Sequence, residues 1–104
     1  PKRLSGGRLD GIGHTASGST ALYEIDGRGV LRFDDVDIEG TPSPYVYLVP
    51  RGAREPDSGV LVGPLKAERG SFSYALPASV DLNADWTVLL WCRPYDTPIA
   101  ASDH

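Results

Sequence analysis

The chain has one cysteine, Cys92, near the end of the run Val88-Leu89-Leu90-Trp91-Cys92-Arg93-Pro94-Tyr95. A thiol is the group here best equipped for redox chemistry, because its thiolate is a nucleophile and its sulfur passes through several oxidation states. The adjacent Arg93 supplies a guanidinium, which stabilises a thiolate when it lies close. No second cysteine is present to resolve an oxidised Cys92. Its redox options are therefore a sulfenic acid or a disulfide with a partner's thiol. A different use is ligation of haem iron by the Cys92 thiolate, with His14 as the only imidazole outside the C-terminal tail. Haem is the less favoured of the two, since the chain has no Met and no Cys-x-x-Cys-His attachment motif.

Other polar groups carry weaker signals. His14 sits among small hydrogen-bonding residues and reads as a turn residue before it reads as a ligand. Asp34, Asp35, Asp37 and Glu39 have the hard oxygen chemistry that calcium takes, but no EF-hand spacing. Alternation explains them as the solvated face of a strand, so no metal site is assigned. No nucleophile elbow, zinc-ligand spacing or Gly-rich loop opening a helix is present, which points to a redox or binding domain before a stand-alone enzyme. Ten basic and fourteen acidic residues give a net charge of −4, and no cluster of Lys and Arg forms a phosphate-binding patch. Nucleic acid is thus not an expected partner. No apolar run reaches the length of a membrane span.

The elements that position Cys92 follow from period-2 patterning. Residues 20–25, 30–33, 45–49, 60–65, 71–76 and 86–93 read as strands. Asp26-Gly27-Arg28-Gly29 marks a tight hairpin. A phase change between Leu31/Phe33 and Val36/Ile38 predicts a bulge near Asp34. The prolines of Gly40-Thr41-Pro42-Ser43-Pro44 break the ladder, and residues 51–59 read as a surface loop. Residues 1–7 are basic and Gly-rich and are expected to form a flexible tail. Residues 102–104 are expected to form another, with His104 disordered. Gly or Pro interrupts every stretch of helical spacing. The fold expected is one all-β domain over residues 8–101, an antiparallel sandwich or compact barrel of about seven or eight short strands.

Parity then orients the last strand. Trp86, Val88, Leu90 and Cys92 form one apolar set and face the core, while Thr87, Leu89, Trp91 and Arg93 face outward. An inward Cys92 is consistent with a purely structural cysteine, since free cysteine is among the most buried residue types. An outward Trp91 requires either a covering segment, such as the N-terminal tail, or an exposed contact patch.

Taken in order, His14-Thr15-Ala16-Ser17-Gly18, Val30-Leu31-Arg32-Phe33, Tyr45-Val46-Tyr47-Leu48, Gly63-Pro64-Leu65-Lys66, Tyr74-Ala75-Leu76-Pro77 and Trp91-Cys92-Arg93 resemble the DM-thirteen domain. That family is a β-rich module found with DOMON domains and proposed to transfer electrons. The resemblance runs from about Leu9 to Ala101 and places the family's proposed functional cysteine on Cys92. It implies an electron-transfer domain that works with a redox partner protein or adjoining domain. A chain that opens on Pro1 and has no Met reads as a mature or excised form, and an extracytoplasmic setting, secreted or at the cell surface, is expected for it. The alternative is a non-catalytic binding or adhesion module, with Cys92 as packing and the Trp91 face or residues 51–59 as the contact surface.

Overall fold

Asp26 and Gly27 both hold positive φ, 53° and 77°, the geometry that matches a two-residue turn to the twist of its flanking strands. This turn joins β3 (Ala16–Ile25) to β4 (Arg28–Ile38), the longest hairpin in the protein. The computed structural model describes all residues, Pro1–His104. Its remaining strands are β1 (Lys2–Arg8), β2 (Asp10–Gly11), β5 (Pro44–Pro50), β6 (Val60–Pro64), β7 (Arg69–Ala75), β8 (Trp86–Cys92) and β9 (Thr97–Asp103). All pairings are antiparallel, giving one sheet in the order β1-β3-β4-β7 and a second in the order β2-β9-β8-β5-β6. The two sheets pack as a sandwich, and the all-β expectation holds.

The core between the sheets is built from the inward set of each strand. Leu22, Leu31, Phe33, Val36 and Ile38 come from the first sheet; Val46, Leu48, Val88, Leu90, Cys92, Ile99 and Ala100 come from the second. Phe33 stacks on Phe72 with centroids 5.0 Å apart, and Tyr74 meets both rings edge-on at 5.8 and 6.0 Å. The bulge near Asp34 is present: the β4–β7 register shifts between Phe33 and Val36, and Asp35 takes φ +48°. Gly18 lies opposite it with φ +105°, where an added Cβ would come within 2.7 Å of the Asp35 carbonyl oxygen. The bulge therefore requires glycine on its neighbour.

Both chain ends depart from the expectation of flexible tails. Residues 2–8 form edge strand β1, paired to β3 from Lys2↔Glu24 to Arg8↔Ser19. An edge strand of this kind is held by backbone hydrogen bonds from its neighbour, so it needs little hydrophobic alternation and leaves little for pattern reading to detect. At the other end Ser102 is fully buried, and the His104 backbone N–H donates to the Trp86 carbonyl at 3.1 Å.

Candidate functional site

Cys92 closes β8, opposite Pro44 on β5 and Thr97 on β9. Alternation turns its side chain inward as expected, and the residue is 1% exposed, within the main core. Its S–H donates to the Pro42 carbonyl at 3.2 Å. Pro42 belongs to the break at residues 40–43, so this segment is a cap over the sulfur rather than a simple linker. Two features mark the cap as locally costly. Ser43 holds φ +42°, in the left-handed region that non-Gly residues seldom occupy. The Thr41 hydroxyl oxygen is buried with no hydrogen-bond partner, which forfeits the hydration it would have in water.

Arg93 leaves the strand on the opposite face. Its guanidinium carbon stacks 3.6 Å from the centroid of the Tyr45 ring, and Nη2 donates to the Tyr47 hydroxyl at 3.3 Å. The cation is thus engaged with aromatics outside the sheet, separated from the sulfur by the strand itself. Trp91, also outward, is only 8% exposed. It clusters with Val49, Leu89 and Ala101, and Ile12, Tyr47 and Ala53 pack against that cluster. The cover comes from the turn before β3 and from residues 51–59, not from residues 1–7, so Trp91 does not present an open apolar patch.

His14 lies in the turn between β2 and β3, with Nδ1 3.0 Å from the Ile12 carbonyl oxygen. The Glu39 N–H donates to the Thr15 carbonyl at 2.9 Å, which brings this turn to the end of the sandwich that holds the cap. A haem between His14 and Cys92 does not fit this arrangement. The sulfur is enclosed beneath Pro42, and neither of the two clefts in the protein has His14 or Cys92 in its wall. The larger cleft, about 850 Å³, opens at the far end, between the 26–28 turn and residues 75–82. Asp34, Asp35, Asp37 and Glu39 do not converge either: Asp34 pairs with Arg32, Asp37 with Arg69, and Glu39 accepts from the Thr15 N–H.

The Gly63-Pro64-Leu65-Lys66 and Tyr74 motifs meet in space. The Tyr74 hydroxyl donates to the Pro64 carbonyl at 2.8 Å and accepts from the Lys66 N–H at 2.8 Å. Burial pushes the Tyr74 phenol above its ordinary value, with the Lys66 N–H opposing. This corner fixes the segment between β6 and β7, and the Leu65 N–H in turn donates to the Pro44 carbonyl at 2.9 Å, at the base of the cap. Sequence reading also missed a polar cluster of Ser5, Thr20, Ser102 and His104, whose contacts span more than 80 positions of the chain and leave no local pattern.

No curated protein and no solved structure matches the chain. A family model described as electron transfer DM13 matches residues 8–102, which takes in the cap, the Tyr74 corner and Cys92 and leaves out most of β1. On that match over nearly its whole length, the chain belongs to the DM13 electron-transfer domain family.

Proposed function

We propose that this domain serves an exported or cell-surface protein as an electron-transfer unit centred on Cys92. The observation that carries the reading is the Cys92–Pro42 contact: the only thiol of an electron-transfer family member ends a strand directly beneath a short, locally costly cap. The chemistry is thiol–disulfide exchange with a disulfide on a partner protein or adjoining domain. Cys92 loses its proton and attacks one partner sulfur. The partner S–S bond breaks, a mixed disulfide forms, and the leaving sulfur takes up a proton as a free thiol. Cys92 is oxidised and the departing partner sulfur is reduced. This chain has no second cysteine, and return of the departed thiol would only reverse the step. Resolution therefore falls to a further thiol of a donor protein or adjoining domain, which attacks the partner sulfur of the mixed disulfide and releases Cys92 as a thiol. Residues 40–43 must move first, since the closed cap leaves the sulfur no approach.

A Cys92→Ser variant tests the reading. Loss of exchange with a partner disulfide, with the fold retained, supports it; exchange that persists in the variant removes it. The alternative of a binding module with a structural cysteine draws on the 1% exposure of Cys92. It predicts a thiol that stays inert toward disulfides until the domain unfolds globally.

A further inference from the structure

Ser102 and Asp103 leave the end of β9 on opposite faces. Ser102 Oγ accepts from Thr20 Oγ1 of β3 at 2.9 Å, while Asp103 turns outward to Arg54 and the Thr87 hydroxyl. His104 follows, and its ring crosses the seam between the sheets. Nδ1 lies 2.8 Å from the Ser5 hydroxyl of β1, and Nε2 lies 2.7 Å from the Thr20 hydroxyl of β3. One imidazole therefore ties two strands of the first sheet to the end of β9, which is itself bonded to β8 through the Trp86 carbonyl. The seam is tight: a Cβ on Gly7 would strike the Asp103 carbonyl and approach Ser102 Oγ at 3.1 Å.

We propose that His104 is a proton-operated clamp on this seam, holding the end of β9 against β1 and β3 when neutral and releasing it when protonated. A neutral imidazole has one donor and one acceptor nitrogen; with the Thr20 proton given to Ser102, Thr20 accepts from Nε2–H and the Ser5 hydroxyl donates to Nδ1. The cluster is then satisfied without charge. Protonation places a cation in a site where both hydrogen-bond partners of the ring, the hydroxyls of Ser5 on β1 and Thr20 on β3, are uncharged; Ser102 on β9 bonds to Thr20, and the Trp86 carbonyl on β8 takes the His104 backbone N–H. The charges nearby are Arg3 of β1, whose guanidinium folds over Gly6, and Asp103, whose carboxylate is committed to Arg54 with both oxygens about 3.0 Å from its nitrogens. The cation thus has no anion among its hydrogen-bond partners and faces another cation, Arg3.

Burial first, and then Arg3, hold the imidazole down at about 4 from its usual 6.5, with Asp103 opposing. The released state keeps the ordinary value, so between about 6.5 and about 4 it binds more protons than the closed state. Acidification through that window favours release, and each pH unit within it changes the open fraction by up to about tenfold.

The test follows the His104 ring protons of the full chain by NMR from pH 8 to 3.5, together with amide exchange of β1 and β9 corrected for intrinsic rates. The expected result is a midpoint near 4 and exchange that rises up to about tenfold per pH unit below about 6.5. His104→Gln keeps a donor and an acceptor but cannot titrate, and should abolish that rise. Arg3→Gln leaves the clamp intact and should raise the midpoint, which keeps the test decisive if the glutamine variant does not fold. A midpoint near 6.5, an unchanged rise in His104→Gln, or an unmoved midpoint in Arg3→Gln overturns the proposal.

Discussion

The Cys92 thiol and the Pro42 carbonyl are 3.2 Å apart, a contact that uses the proton the sulfur must lose before it can react. Opening the cap therefore removes the steric cover and the hydrogen bond in one movement. On the proposed function, access to the thiol requires a local opening, whose free energy lies below that of global unfolding wherever a segment is strained or poorly satisfied.

Thr41 gives a way to test that dependence. Its buried hydroxyl has no partner, and an unpaired buried polar group costs about 1–3 kcal/mol. Thr41→Val keeps the shape and removes the hydroxyl. It should stabilise the cap by about 1 kcal/mol and slow labelling of Cys92 by a thiol reagent roughly fivefold. Denaturant midpoints and labelling rates at low denaturant measure the two effects. Faster labelling in the variant would show that Thr41 does not limit opening.

The Tyr74 corner is expected to stabilise the base of the same cap. Tyr74→Phe leaves the Pro64 carbonyl and the Lys66 N–H without their shared partner and should cost about 1–3 kcal/mol, read from denaturant unfolding. The pH dependence has a definite sign. Because the folded phenol sits above the ordinary 10.0, the unfolded chain loses this proton first as pH rises. Stability should fall above about pH 10, and the Phe variant should lack that component.

How much of this could be read from the residues depends on what each position contributes to a pattern. Parity in residues 86–93 correctly oriented Cys92 inward and Trp91 and Arg93 to the other face, because successive side chains of a strand alternate with a period of two. The bulge at Asp34 was legible for the same reason, as a change of phase. Strand β1 was not, since its place in the sheet comes from backbone pairing to β3. Nor was the role of Pro42, whose carbonyl reaches Cys92 across 50 positions of sequence; proline marks a break but says nothing about what the broken segment covers. His104 was read as a loose end because a terminal residue has no neighbours in sequence to reveal a partner in space.

Trp91 yields a prediction that separates two covering segments. Ile12 and Ala53 pack on its cluster, whereas β1 lies in the other sheet. In a Trp86→Phe background, which leaves Trp91 as the sole indole, removal of residues 1–7 should leave the emission maximum in place. Ala53→Asp should shift it to the red, because a carboxylate beside the cluster draws water toward the ring. A red shift on removing residues 1–7 alone would assign the cover to β1.

Asp103 sets a second acid transition, below that of His104. Hydrogen bonds from Arg54 and then from the Thr87 hydroxyl hold its carboxyl below the ordinary 3.8, against a smaller opposing effect of burial. A depressed folded value means that the unfolded chain takes up this proton first, so the stabilisation is complete above about pH 3.8 and is lost as pH falls through the folded value. The side chains of Arg54 and Asp103 are 42% and 40% exposed, so salt should weaken the effect. In urea unfolding followed from pH 7 to pH 2, Arg54→Gln should lose part of the decline below pH 3.8 while keeping the fall between about 6.5 and about 4 that belongs to His104. An Arg54→Gln curve parallel to the parent's below pH 3.8 would show that the pair does not contribute.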